Sequence, residues 1–222
     1  LKFLKFYDRL LAIILQELGL GFLMSKFSHL RRLESESTNT ELVALAKAGA
    51  AELTLLSAIQ QSAGHGQYGR AFASPRGGAY FSLLLRPEPY PDIAEHLTAI
   101  AAVAVCEISE ERYGVHAGIK ARNDVLVNRK KASGILVEAF DGADGFFAVV
   151  GIGVNLVTPS DGFPEELQHI GAVTDRTCNQ IEDDEITTFI FDVADRFLDY
   201  YQNRSLELAL GEYDARLEPA PY

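Results

Sequence analysis

Cysteine is scarce in this chain of 222 residues: only Cys106 and Cys178 are present, far apart in sequence. No disulfide framework and no paired-cysteine zinc spacing can be built from them, so a reducing compartment is the default. Positive charge is also short. Lys and Arg total 20 against 31 Asp and Glu, a formal net charge of −11 at pH 7. Nucleic-acid binders draw much of their affinity from cations on phosphate, and anionic membrane surfaces recruit polybasic segments. The deficit argues against both partners. Long uninterrupted apolar runs are missing as well. The amphipathic stretch at the start of the chain is broken by Lys2, Lys5, Asp8, Arg9 and Glu17, so it cannot span a bilayer. It lacks the small-residue cleavage site of a secretory signal. A cytoplasmic location is the expectation. Internal repeats and low-complexity segments are absent too.

What is present is ordinary globular composition, 48% hydrophobic and 23% charged. The length suits one large domain, or one domain with a small appendage. Phe3, Phe6, Tyr7, Leu10, Leu11, Ile14 and Leu18 recur at helical spacing, and Gly19 and Gly21 would stop that helix. The single methionine is Met24. Residues 1–23 are therefore expected to be either non-native sequence or an accessory amphipathic helix, with the domain proper at 24–222. Along the body, Ser37–Gly49 reads as a helix with Thr38 and Glu41 in capping-box positions. Leu53–Ile59 and Tyr80–Leu85 read as strands, and Asp92–Tyr113 as a long Ala-rich helix. Lys120–Asn128 and Gly134–Phe140 read as strands around a basic Arg129-Lys130-Lys131 turn, and Phe146–Val154 as a third strand of that group. Asp184–Gln202 and Leu206–Leu217 read as helices. The irregular order predicts an α+β fold rather than a doubly wound sheet.

Gly64-His65-Gly66-Gln67-Tyr68-Gly69 spells the G-x-G-x-x-G string. A dinucleotide site requires a helix straight after it, because the pyrophosphate rests on that helix N-terminus. Here Ala71 to Gly78 include Pro75, Gly77 and Gly78 and cannot form one. The loop instead reads as a strand–loop–strand wrap, whose glycines allow backbone N–H groups to approach a polar or anionic ligand. A glycine-rich hairpin with no ligand would look the same.

Five segments narrow the choice. They are Ser37-Thr38-Asn39, Gln61 to Arg70, Lys120-Ala121-Arg122-Asn123-Asp124-Val125, Lys131 to Glu138, and Gly151-Ile152-Gly153-Val154-Asn155-Leu156. In this order and spacing the chain resembles the biotin protein ligases, from about Ser37 to Asn155. The resemblance implies a mixed, largely antiparallel sheet flanked by helices, the catalytic fold shared with lipoate ligases and similar to class II aminoacyl-tRNA synthetases. It implies activation of biotin by ATP and Mg²⁺ to an enzyme-bound biotinyl-adenylate. Transfer to a lysine of a biotin carboxyl carrier domain, of acetyl-CoA carboxylase or a related carboxylase, would follow. Ser37, Thr38, Asn39, Gln61, Gly64, His65, Gly66, Gln67, Lys131 and Gly134 would face biotin. Lys131 and Arg70 would be catalytic, their cations stabilising charge that develops on oxygen. Lys120, Asn123, Asp124 and Asn155 would face the nucleotide, with Asp124 able to hold Mg²⁺. Gly134 and Gly153 would permit close backbone approach. Family members often form homodimers through an exposed sheet edge; the sequence itself leaves the oligomeric state open, with a homodimer as one candidate. Without the resemblance, Ser37–Asn39 would pass for an N-cap, Lys131 for a solvated charge, and Asn123-Asp124 for a turn.

Three departures bear on function. The family's loop usually reads Gly-Arg-Gly-Arg, but His65 and Gln67 stand at the two arginine positions, while Arg70 fits. Charge-assisted hydrogen bonds are worth roughly 1.5–3 kcal/mol each, so weak retention of the adenylate, or weak biotin binding, is expected. The family's Lys-Trp-Pro-Asn-Asp becomes Lys120-Ala121-Arg122-Asn123-Asp124, which loses an aromatic wall and a fixed φ. Neither the N-terminal helix-turn-helix of bifunctional members nor their C-terminal SH3-like module is expected here. The alternatives are a lipoate or octanoate ligase or transferase, and a biotin-binding module with impaired catalysis.

Overall fold

The computed structural model describes residues 26–143, 145–163 and 169–219, so the amphipathic helix expected in residues 1–23 lies outside the described residues. The strands are β1 (Ser28–Ser35), β2 (Thr54–Gln61), β3 (Ala79–Leu85), β4 (Ala117–Lys120), β5 (Asp124–Val127), β6 (Lys130–Gly142) and β7 (Gly145–Val154). The helices are α1 (Thr38–Lys47), α2 (Ile93–Tyr113), α3 (Asp183–Leu198) and α4 (Leu206–Ala215). One sheet takes the order β1-β2-β3-β7-β6-β5-β4. Only β1 and β2 run parallel; the other neighbours are antiparallel. This is the mixed, largely antiparallel α+β fold that the sequence predicts.

Alternation along the central strands sorts the core into two layers. Leu55, Phe81, Leu83, Val150 and Ile152 pack with α2 and α3 on one face. Leu56, Leu84, Phe147 and Val149 pack with Leu42 and Ala46 of α1 on the other. A strand covered on both faces needs no polar side, which is why Ala79–Leu85 is buried throughout. The Ala-rich middle of α2 is equally enclosed: Ala101, Ala102, Val103 and Ala104 are solvent-free. Small side chains there let α2 lie close to the sheet while α3 and α4 pack against its flank.

Several local expectations are corrected. Ser37, not Thr38, caps α1, accepting from the Thr40 N–H at 3.4 Å. Glu41 closes no capping box and instead bonds Arg32 (2.7 Å) and Ser35 (3.0 Å). Strand β1 was not foreseen at all. The single strand expected at Lys120–Asn128 is two, β4 and β5, separated by a turn at residues 121–123. The basic turn narrows to Asn128-Arg129, both at positive φ (51° and 61°), the geometry of a tight two-residue hairpin. Lys131 therefore sits inside β6. Helix α3 runs to Leu198 and widens into a π turn over Asp199–Asn203.

Candidate functional site

The N-terminus of α1, the end of β2, the glycine loop, and facing parts of β5, β6 and β7 converge on one cleft. Its inner end is polar yet closed. The Thr38 N–H and hydroxyl both donate to Gln61 Oε1 (2.8 and 3.2 Å), and Gln61 Nε2 donates to Ser74 Oγ (2.8 Å). Asn39 Nδ2 reaches Leu136 O (3.2 Å) and Glu138 Oε2 (3.0 Å). Ser82 Oγ lies 2.8 Å from Thr38 Oγ1 and 2.6 Å from Asn39 Oδ1. Burying these groups costs little because each has partners, and the network holds the first helical turn in one orientation.

The floor is built from glycines in register across strands: Asp124 opposes Gly134, and Gly134 opposes Gly153. A Cβ at Gly153 would lie 2.6 Å from Phe72 Cε1, and one at Gly134 would lie 3.0 Å from Phe72 Cε2. At Gly151 a Cβ would meet Asn39 Oδ1 at 2.1 Å. The glycines thus make room for the Phe72 ring and the Asn39 amide. The ring also meets Tyr80 edge-on, with centroids 6.4 Å apart.

Charge concentrates at one side. Lys131 Nζ lies 2.7 Å from Asp124 Oδ1, with the side chains 23% and 16% exposed, and 5.9 Å from the Phe72 ring centroid. A register shift between Val125 and Leu126 explains the placement. It pairs Lys131 with Leu126, where Ala132 would otherwise stand. A one-residue slip reverses side-chain facing, so Lys131 turns to the face that carries Asp124 and Gly134, while Ala132 enters the core.

The glycine loop is pinned at its neck and bare at its tip. Phe72 N–H donates to Gly64 O (2.8 Å) and Gly66 N–H to Arg70 O (2.8 Å). Gly64 lies behind the cleft wall, where a Cβ would strike Phe72 O at 2.6 Å. His65, Gly66, Gln67 and Arg70 line the cleft. Tyr68, at φ 59° and 93% exposed, crowns the tip. A second, more open cleft adjoins the first and shares Gln67, Tyr68, Arg70, Asn123 and Asp124 with it. It adds Lys120, Arg122 and, from α4, Tyr213. Asn123 Nδ2 donates to Ile135 O (3.0 Å), and Arg122 pairs with Glu95 (2.6 Å).

Of the residues singled out from sequence, Ser37, Thr38, Asn39, Gln61, His65, Gly66, Gln67, Arg70, Asn123, Asp124, Lys131 and Gly134 all line the first cleft. Lys120 lines the second. Asn155 lines neither: it is buried, donates to Gly171 O (3.2 Å) and ties the 171–173 segment to β6. Phe72 was missed, although an apolar ring leaving a polar glycine loop was a usable signal. Tyr213 was missed because its helix reads only as packing.

Two adjoining clefts thus share a wall that includes Asn123, Asp124 and Arg70, and Lys131 lines the first of them beside Asp124. The chain belongs to the biotin/lipoate A/B protein ligase family, whose sequence profile matches residues 31–155. It is 41% identical over 136 residues to the bifunctional ligase/repressor BirA of Bacillus spizizenii, covering 60% of this chain and 42% of that protein. It is 38% identical over 130 residues to the biotin–[acetyl-CoA-carboxylase] ligase of Paracoccus denitrificans, covering 57% and 54%. The chain therefore spans about half the length of these relatives. The fold matches that of the Aquifex aeolicus biotin protein ligase in complex with biotin and ATP at a TM-score of 0.68 and 26% identity, over 86% of this chain and 78% of that one.

Proposed function

We propose that this chain is the catalytic core of a biotin–[biotin carboxyl-carrier protein] ligase. The observation that carries the reading is the Lys131–Asp124 pair at 2.7 Å, set where the two clefts share a wall. Biotin would lie along the glycine floor with its polar ring toward Ser37, Thr38, Asn39 and Gln61, and its carboxylate toward Lys131. ATP would take the open cleft beside Lys120, Asn123 and Asp124. A biotin carboxylate oxygen attacks the α-phosphorus, the bond to the bridging oxygen breaks, and pyrophosphate leaves. The lysine amine of a carrier domain then attacks the acyl carbon, loses a proton, and AMP departs. Lys131 and Arg70 stabilise the negative charge that builds on oxygen in the first step. Salt-bridging to Asp124 keeps the Lys131 ammonium aimed at that position before substrate arrives.

Among the described residues no cluster of three or more acidic, His or Cys ligands exists. Asp124 would be the carboxylate to hold Mg²⁺, an ion commonly bound through one or two carboxylates together with substrate phosphates. Bound there, Mg²⁺ would neutralise phosphate charge. The carrier would be the biotin domain of acetyl-CoA carboxylase or a related carboxylase. A cytoplasmic setting accords with the composition, and among the described residues no helix is long and apolar enough to cross a membrane.

The test is transfer of labelled biotin to a carrier domain with and without ATP. Labelling that requires ATP, and that falls by about 100-fold in Lys131→Ala, is expected. Binding without transfer would favour an impaired module, and a preference for lipoate or octanoate would favour the sister branch. Full activity in Lys131→Ala would sink the site assignment.

A further inference from the structure

The turn at residues 121–123 carries Asn123 and leads into Asp124, yet it has neither of the features that would stiffen it from within. Ala121 presents no ring to pack, and Arg122 leaves φ free where a proline would fix it. What holds it comes from outside. Tyr213, on α4, donates its hydroxyl to the backbone carbonyl of Arg122 at 2.8 Å. The same side chain lines the open cleft, so it touches both the turn and the space beside it. Helix α4 is itself anchored to the strand that enters the turn. Ile119 N–H donates to Arg216 O (2.7 Å), and Glu218 N–H donates to Ile119 O (2.8 Å). Arg216 pairs with Glu110 on α2 (2.9 Å). Other external contacts exist. Strand β6 holds the Asn123 end, where Asn123 Nδ2 donates to Ile135 O (3.0 Å) and Ile135 N–H donates to Asn123 O (2.9 Å). Arg122 pairs with Glu95 through side chains 73% and 60% exposed, a setting in which ion pairs contribute little.

We propose that Tyr213 is a positioning residue for the nucleotide: through the Arg122 carbonyl it holds the 121–122 side of the turn, as β6 holds Asn123, and so completes the aim of Asn123 and Asp124. The inference rests on the ligase reading for the identity of the ligand, but the ordering of the turn does not. A phenol offers one proton, and a backbone carbonyl can only accept, so the direction of this bond is settled. Burial raises the Tyr213 hydroxyl pKa above its ordinary value, which keeps the donor protonated across the working range. No contact of Tyr213 reaches the inner end of the first cleft, so biotin should not sense it directly.

Tyr213→Phe keeps the ring and removes the donor. Amide hydrogen exchange and ligand affinity, measured on the whole chain, decide the matter. Exchange in the peptide spanning 120–125 should accelerate while α4 and β6 stay as protected as before. The KM for ATP should rise roughly five-fold, the worth of one ordinary hydrogen bond, with the biotin dissociation constant measured without ATP unchanged. Unchanged exchange at 120–125 overturns the proposal, as does acceleration spread equally over α4, which would make Tyr213 a packing residue. An equal loss of affinity for biotin and ATP also overturns it. Should the wild type take biotin but no ATP, the ligase reading fails by itself, and the exchange of the turn still decides whether Tyr213 orders it.

Discussion

Gln67 lines both clefts at the tip of the glycine loop and brings no charge to them. Arg70 is the loop's one permanent cation. A phosphate held between the clefts would therefore receive one charge-assisted contact from the loop where an arginine at position 67 would add a second. Such a contact is worth roughly 1.5–3 kcal/mol, or tenfold and more in a dissociation constant. Gln67→Arg is thus expected to slow release of biotinyl-adenylate by about tenfold, read by trapping labelled adenylate on a filter over time. Equal release rates would show that the loop does not grip the phosphate. Residues such as Gln67 were legible because their order along the chain carries the resemblance. Phe72 was not, because its place depends on register. Gly134 and Gly153 lie on different strands and become one floor only when β6 and β7 pair, and only then does the space for a ring exist.

At the scale of elements, legibility follows burial. Strands β2, β3 and β7 are apolar runs and could be read directly. Strand β1 could not, since Ser28–Ser35 is mostly polar and half-covered. It is held by register with β2 and by side-chain contacts that no local pattern announces: Arg31 with Asp183 (2.7 Å), Arg32 with Glu41 (2.7 Å), and His29 Nε2 with Ser57 Oγ (2.8 Å). The His29 ring also meets Phe191 of α3 edge-on, with centroids 5.0 Å apart. Burial, and secondarily the Arg31 charge, lowers the His29 pKa below its ordinary 6.5. The unfolded chain then binds the proton at higher pH than the folded one. The stability His29 contributes is fully present above the unfolded value and is lost as pH falls from there through the lowered folded value. Thermal melts at pH 7 and pH 5 should show a smaller drop for His29→Gln than for the wild type. Parallel drops would mean that this histidine is not what couples β1 to pH. The turn at 121–123 escaped the sequence reading for a related reason: Lys120–Asn128 has strand-like residues at both ends, and the break between β4 and β5 shows only when the two strands fold back and pair, Lys120 against Asp124.

At the scale of the whole molecule, the sheet has two edges and they differ. The β4 edge is covered: residues after α4 pair with Ile119 through two backbone hydrogen bonds of 2.7 and 2.8 Å. The β1 edge has a strand on one side only among the described residues, and it presents Leu33 with 78% of its surface in water. An uncovered edge strand is a template for another strand, and a chain of net charge −11 needs apolar or backbone contacts to overcome its own repulsion. If this chain forms the sheet-edge homodimer that the family resemblance implies, β1 is the edge left for it among the described residues, and the two copies would meet there about a two-fold axis. In such an isologous contact each substitution counts twice. Burying a leucine contributes about 1.5–3 kcal/mol, so Leu33→Lys should raise the dimer dissociation constant by at least about 100-fold in sedimentation equilibrium. Biotin affinity should hold, because Leu33 lines neither cleft. Added salt screens the like charges and should tighten the wild-type dimer, while doing less for the variant, whose new lysines soften that repulsion. A wild type that remains monomeric at high salt would remove the edge pairing, and a variant as dimeric as the wild type would move the interface away from β1.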